Sequence, residues 1–272
     1  MNENSGARLT RTTRRRLLAG GAAVGVAGLA GCLGGRDGPV PAPEVTSDRI
    51  EDWRQTDESE STVFEQSYGP VTVRALEHTR IFEYAPVADA LAETVDASGS
   101  PVVFFATRID LRPALDQLPA GVGRDRVMSE VETAATDAFR AQLRNAGIEN
   151  VEVVEEGTTT VRSGHTATAW RLSGEYPIDG AIPLPTGSTA AIDRPIEIEA
   201  RLGVWHDGTD VLVAGGAYPT DPLIEVFDAA LPDSVDAESV VTQIADAETA
   251  EALATDPAAY DEDVSQLLIS VE

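Results

Sequence analysis

The residue types that most often do chemistry are scarce in this chain of 272 residues, which has one cysteine and three histidines. The cysteine, Cys32, comes directly after an apolar run at residues 17–31. A single cysteine excludes an internal disulfide framework, a zinc site built from cysteines and an iron–sulfur cluster. Cys32 is therefore a candidate for covalent modification rather than for metal binding.

The three histidines, His78, His165 and His206, match no catalytic pattern. None has the spacing of a helical HExxH metal pair, and no serine lies in a G-x-S-x-G turn. The Walker A and G-x-G-x-x-G phosphate patterns are also absent. We therefore expect no catalytic residue, no resident metal and no cofactor. The alternative is a secreted hydrolase or a metal-binding protein whose site is assembled from histidines and acidic residues that are distant in sequence.

The N-terminus carries the pattern of an export signal. Five of the arginines lie within residues 1–31, followed by an uncharged run at 17–31 that contains only Leu, Ala, Gly and Val. This run is shorter than the roughly 20 residues that a membrane-spanning helix needs, and its glycines disfavour a long helix. Two adjacent arginines, one further residue and two hydrophobic residues are typical of twin-arginine export. The residues of this motif are Arg14, Arg15, Leu17 and Leu18.

The end of the apolar run resembles the lipobox of prokaryotic lipoproteins. The matching residues are Leu29, Ala30, Gly31 and Cys32. The resemblance implies cleavage before Cys32 and attachment of a diacylglyceryl group to its thiol. Two acyl chains hold a soluble domain on a bilayer, whereas one chain does so only marginally. We therefore expect an extracellular protein, lipid-anchored on the outer face of the cytoplasmic membrane. The alternative is that Cys32 is an incidental small residue near an ordinary cleavage site.

The charge of the chain indicates its environment. All 20 basic residues are arginine, the net charge is −26, and removal of residues 1–31 would change it to −30. At molar salt the Debye length falls to about 3 Å, so such self-repulsion is largely screened. The composition is similar to that of extremely halophilic archaeal proteins. It argues against nucleic acid as a partner, because nucleic acid binding needs a basic patch.

The exported part divides, on composition, into a tether and one domain. A Gly/Pro-rich segment and an acidic stretch together make residues 32–61 a predicted flexible linker, with a span of about 30 Å. Trp53 is the one large apolar residue of the acidic stretch, so it could dock the stretch onto the domain, or residues 48–55 could form a short helix. We expect residues 62–272 to form a single domain.

The apolar periodicity of that domain predicts an α+β fold, with helices packed on an antiparallel sheet. Helices are predicted at residues 86–95, 124–146, 221–230 and 237–253. Strands are predicted at residues 71–76, 80–84, 101–109, 151–154, 158–161 and 165–176, with a less regular one at 264–271. The clearest local signal is a hairpin with Asp-Gly at its turn, formed by residues 196–205 and 210–214, which we place in the middle of the sheet. Gly215 and Gly216 are interpreted as glycines of a strand bulge.

The order of a helix and then meandering strands, with residues 161–167 leading into one of them, is similar to the PsbP-like fold of several small secreted lipoproteins. The resemblance covers residues 124–219 and implies a binding or assembly role without transferable catalytic residues. Trp170, Trp205 and Tyr218 lie on predicted strands. They form either an aromatic binding face or, as is more common, part of the core.

Two hypotheses on function follow from the sequence. The first is a non-catalytic binding or assembly module on the cell surface, whose partners are the membrane, through the lipid anchor, and an extracellular protein or a small solute. The second is the secreted hydrolase or metal-binding protein described above.

Overall fold

The computed structural model describes residues 38–272, except residues 69–70, 96–98, 115–116, 118–122, 179, 185–186, 193, 208–209 and 233–234. The predicted export motif, the lipobox and Cys32 lie outside the described residues.

An antiparallel sheet of seven strands, in the order β1-β2-β3-β9-β8-β5-β4, forms the centre of the fold. The seven strands are β1 Trp53–Tyr68, β2 Val71–Tyr84, β3 Val103–Arg112, β4 Glu149–Thr160, β5 Thr166–Tyr176, β8 Ile196–Asp207 and β9 Asp210–Pro219. Two further strands, β6 Ala181–Pro183 and β7 Thr189–Ala191, pair with each other. The predicted α+β class is confirmed, and so is the position of the β8–β9 hairpin, since β9 is the central strand.

In the described part of the chain, six α-helices pack on the sheet and on one another. They are α1 Ala85–Val95, α2 Arg124–Asn145, α3 Leu223–Ala230, α4 Ala237–Ile244, α5 Ala247–Leu253 and α6 Pro257–Ile269. The apolar stripe predicted for α2 is buried, with Val127, Val131, Ala135, Phe139 and Leu143 each at most 5% exposed. Gly147 follows α2 with a φ of +93°, a conformation that glycine adopts without the penalty of a Cβ atom.

Two long helices cover opposite faces of the sheet. Phe105 of β3 stacks its ring on Phe139 of α2, with 4.9 Å between the ring centroids. On the other face, a Cβ atom at Gly216 would lie 3.0 Å from Val264 of α6. Since neighbouring residues of a strand point to opposite faces, these two contacts place α2 on one face of β3 and β9 and α6 on the other.

The prediction of a flexible linker at residues 32–61 is wrong for its second half. Residues 48–52 form a 3-10 helix, and residues 53–68 form the edge strand β1, which pairs with β2 over its whole length. Val40 and Trp53 are buried, at 4% and 6% exposure. Both alternatives for this stretch are borne out, the short helix over residues 48–52 only. Trp53 docks the stretch onto the domain: its ring lies 5.4 Å from that of Tyr84, and the burial of an indole stabilises the contact.

The C-terminal residues also differ from the prediction. Residues 264–271 were expected as a strand, but they continue α6, and Val271 alone forms a bridge with Val45. Asp256 caps this helix by accepting a hydrogen bond from the Ala258 N–H at 2.9 Å, and Pro257 occupies its first turn. Similarly, the helix predicted at 237–253 is two helices, because Asp246 caps a new one through the Thr249 N–H.

Candidate functional site

A mostly apolar groove of about 430 Å³ lies between the C-terminal half of α2 and strands β1, β2 and β3. We call it the α2 groove. Its apolar walls are formed by Ile81, Val103, Phe105, Phe139 and Leu143. The volume falls within the range of pockets that bind small organic molecules.

The walls follow from the sheet register and the helix period. Ile81 of β2 is paired with Phe105 of β3, so both side chains lie on the α2 face of the sheet. Phe139 and Leu143 are four residues apart on α2 and therefore lie on one side of the helix. Helix α2 packs over β4, β8 and β9, and Phe139 is its ring contact with β3. Strand β1 and the outer side of β2 remain uncovered, which opens the groove to solvent.

Gln142, one of the residues that line the groove, has a polar atom without a partner among the described residues. The side-chain oxygen Oε1 of Gln142, on α2, is buried and accepts no hydrogen bond from the described residues. A buried carbonyl oxygen without a donor costs about 1–3 kcal/mol, so this atom favours a ligand that brings an N–H or O–H group. At the rim, Thr56 and Asp57 of β1 are exposed.

The titratable side chains that line the groove are two carboxylates, Asp57 and Glu83. Asp57 is exposed, whereas Glu83 is paired with Arg54, with 2.7 Å between Oε1 and Nη2. No histidine or cysteine is among the described residues that line the groove. The groove can hold an apolar molecule, and the Gln142 carbonyl oxygen can accept one hydrogen bond from it.

The groove lies at the opposite end of β3 from the start of the described chain. Val103 and Phe105 line the groove at the beginning of β3, whereas Arg112, at its end, donates a hydrogen bond to the Gly38 carbonyl oxygen at 2.5 Å. Seven to nine strand residues separate the two places, which corresponds to about 25–30 Å. Gly38 therefore lies away from the groove.

The three histidines do not form a shared site in the described residues. His78 is buried against Val40 and Glu58, with its Nδ1 2.9 Å from the Val40 carbonyl oxygen and its Nε2 2.7 Å from Glu58 Oε1. His165 lies 3.4 Å from Asp207, where both side chains are nearly half exposed. No group of three His, Cys, Asp or Glu side chains that could hold a metal occurs in the part of the chain that the structure describes.

The role of His78 is structural. Both atoms that face its ring nitrogens are acceptors, so both contacts are hydrogen bonds only when each nitrogen carries a proton. The ring thus fastens the segment around Val40 to β1 and β2. Arg80 and Arg112 hold the same segment through the carbonyl oxygens of Pro43 and Gly38.

The aromatic residues singled out in the sequence belong to the core rather than to one binding face. Trp205 and Tyr218 are buried, at 1% and 4% exposure, while Trp170 is half-buried against the core. Trp170 is paired with Leu202, three residues from Trp205 on β8, so the two indoles lie on opposite faces of the sheet.

Arg201, which lines a second cleft beside α6, belongs to a polar network around Tyr218. The Tyr218 hydroxyl oxygen lies 2.9 Å from Glu199 Oε1 and 2.5 Å from Asp261 Oδ1, and it accepts a hydrogen bond from Arg201 Nε at 3.2 Å. Because the Tyr218 hydroxyl has one proton, it donates a hydrogen bond to only one of the two carboxylates at a time. Burial raises the pKa of the Tyr218 phenol, so this group stays neutral and serves as a donor.

The Tyr218 network fastens α6 to β8 and β9, which gives a prediction. The variant Tyr218→Phe should lose about 1–2 kcal/mol of unfolding free energy, because two carboxylates and Arg201 then lose a buried partner. Thermal unfolding at molar KCl measures the loss. Tyr176→Phe is the matched control, since the Tyr176 hydroxyl has no hydrogen bond to a described residue; an equal loss in both variants would contradict the role given to Tyr218.

Sequence reasoning missed the α2 groove, although part of its signal was visible. The stripe of α2 predicted that Phe139 and Leu143 face the sheet, but the gap beside them arises because β1 is an extra edge strand.

Gly215 and Gly216 are not a bulge: both lie in an uninterrupted register with β3 and β8. They are small because strands β3 and β8 approach closely and because Val264 of α6 lies over Gly216.

Of three comparisons with known proteins, the one with protein families found a match. The model of a family described as "Domain of unknown function (DUF6517)" matches residues 40–272. No curated protein and no solved structure matches the chain. The matched range begins where the folded segment around Val40 begins, and therefore includes residues that were predicted as a linker. None of the described helices is both long and apolar enough to cross a bilayer.

Proposed function

The chain belongs to the DUF6517 family, and from this premise we propose that it is a lipid-anchored binding protein that takes up a small apolar molecule without catalysis. The observation that carries the proposal is the α2 groove, lined by apolar side chains and by Gln142, whose buried carbonyl oxygen has no partner among the described residues. Pockets of this kind, with few polar groups among apolar walls, are typical ligand sites.

The sequence supports an extracytoplasmic location. The twin-arginine motif at Arg14 and Arg15 indicates export, and the lipobox ending at Cys32 indicates an anchor on the outer face of the membrane. Cys32 precedes Gly38 by six positions, a stretch that spans at most about 20 Å. An anchor at Cys32 would therefore hold Gly38 within about 20 Å of the lipid.

The charge of the chain supports a high-salt environment. An exported chain with a net charge of −30 is compatible with folding where the surface charges are screened. The acids lie mainly on the surface, and both edge strands carry several, which also protects the sheet against edge pairing. We propose a halophilic archaeal source on this basis.

No observation favours the alternative of a hydrolase. His78 and His165 contact different carboxylates, and neither lines the α2 groove. The resemblance to the PsbP-like fold stays a prediction, and its implied binding role agrees with the proposed function.

The proposal is tested by titration with N-phenyl-1-naphthylamine, a neutral apolar dye with one N–H donor. We expect saturable fluorescence enhancement at one site per chain. Thr56→Trp should weaken binding at least tenfold, because an indole at this exposed position of β1 fills the groove. Gln142→Leu should weaken it about tenfold, which corresponds to one buried hydrogen bond.

The matched control is Thr62→Trp, which places the same side chain at an exposed position of β1 that does not line the groove. It should bind the dye as the unmodified chain does. Equal affinity of the Thr56→Trp variant, or no saturable binding by the unmodified chain, would contradict the proposal.

A further inference from the structure

The cleft beside α6 is a second concave site, with a volume of about 340 Å³, and it lies on the opposite face of the sheet from the α2 groove. We call it the α6 cleft. The residues that matter for its chemistry are Glu155, Gly157, Ala169, Arg171, Arg201 and Leu268. The cleft lies on the face of the sheet that α6 covers, above the parts of β4, β5 and β8 that α6 leaves exposed.

The floor of the α6 cleft is flat. Gly157 of β4 is paired with Ala169 of β5, which is paired with Gly203 of β8, so one row across three strands carries nothing larger than a methyl group. A Cβ atom at Gly157 would have no neighbour within 4 Å, which shows open space above it. A ring can therefore lie flat on this row, against Leu268 of α6.

The edge of the cleft is a row of ion pairs. Glu155, Arg171 and Arg201 are neighbours on the same three strands. Arg171 Nη2 lies 2.6 Å from Glu155 Oε2, and Arg201 Nε lies 2.5 Å from Asp261 Oδ1. Glu199 Oε2 is 3.9 Å from Arg171 Nη1.

This edge offers strong donors and strong acceptors side by side with little uncompensated charge. Two guanidinium groups face three carboxylates, so an anion would meet repulsion from the acids and a cation would compete with the arginines. A hydroxyl group both donates and accepts, and charge-assisted hydrogen bonds to hydroxyls are stronger than neutral ones. The edge thus matches a neutral molecule with several adjacent hydroxyls.

We infer that the α6 cleft binds a neutral carbohydrate, with one sugar ring on the Gly157–Ala169 floor and its hydroxyls on the Arg171 and Glu155 edge. Thr159 and Ser265, which also line the cleft, add hydroxyl partners at its other borders. This site is independent of the apolar ligand proposed for the α2 groove, because the two sites share no residue.

The test is saturation-transfer NMR at 2 M KCl with an equimolar mixture of glucose, galactose and mannose as the probe. We expect transfer to at least one of the three sugars. Gly157→Val should abolish the transfer, because the valine side chain occupies the open floor while its β-branched shape suits a strand. Arg171→Met should reduce the transfer at least tenfold, since it removes the donors but keeps the apolar stem.

The matched control is Glu156→Gln, one residue away on the opposite face of β4, and it should leave the transfer unchanged. Absence of transfer to all three sugars would overturn the inference. Undiminished transfer in both Gly157→Val and Arg171→Met would overturn it as well.

Discussion

The variant Gly215→Val is expected to yield no folded protein. Gly215 lies in the central strand β9, and a Cβ atom there would overlap the carbonyl oxygen of Arg201 and come within 2.8 Å of the Phe105 ring. The carbonyl belongs to the paired backbone of β8 and cannot move without breaking the sheet. A cost above about 4 kcal/mol is a large part of the 5–15 kcal/mol that stabilises an ordinary domain.

Circular dichroism and thermal unfolding at molar KCl measure this effect. Gly157→Val serves as the control, since it makes the same replacement in the same sheet at a position with open space. We expect it to unfold within a few degrees of the unmodified protein. A cooperative unfolding transition of Gly215→Val at the temperature of the unmodified protein would contradict the close packing of β3, β8 and β9.

The variant Cys32→Ser is expected to remove the lipid anchor. Serine lacks the thiol that the lipobox resemblance assigns as the acylation site. The protein should then be released into the medium or stay as an unprocessed precursor. Fractionation of cells followed by mass analysis distinguishes the two forms.

Export and anchoring are separated by a second variant. Replacing Arg14 and Arg15 with lysine should block export, so that the precursor stays in the cytoplasm although Cys32 is intact. Retention of the Cys32→Ser variant in the membrane fraction, in amounts equal to the unmodified protein, would refute the lipid anchor.

Elements with buried, periodic faces were predictable from the sequence. Helix α2 and the β8–β9 hairpin bury one or both faces, so their apolar residues recur at the period of the element. Edge strand β1 was not predictable in this way, because most of its residues are exposed and polar on both faces. Its 16 residues therefore resemble a linker in composition, although the backbone pairs with β2 throughout.

Helix α6 was missed for a different reason. The apolar residues between Val264 and Val271 are dense enough to fit a short strand or a buried helix, and periodicity alone does not separate the two. The decisive signal is Asp256 followed by Pro257, an N-cap and a first-turn proline. Since α6 forms one wall of the α6 cleft, missing it also concealed that site.

The candidate sites depend on residues that sequence patterns do not bring together. Gln142 of α2 and Thr56 of β1 line one groove only because β1 is added to the edge of the sheet. Likewise, Arg171 and Arg201 face each other through the register of β5 and β8. Cys32 and the export motif, in contrast, are local patterns and could be proposed without any fold.

Native mass spectrometry of the protein extracted from its own membranes in high salt tests the central claim most directly. The account predicts a chain that begins at Cys32, carries a diacylglyceryl group and retains a small apolar molecule, which is lost in Thr56→Trp but kept in Thr62→Trp. A chain without lipid at Cys32 would contradict the anchor. A lipidated chain whose bound molecules are the same in both tryptophan variants would contradict the α2 groove as the binding site.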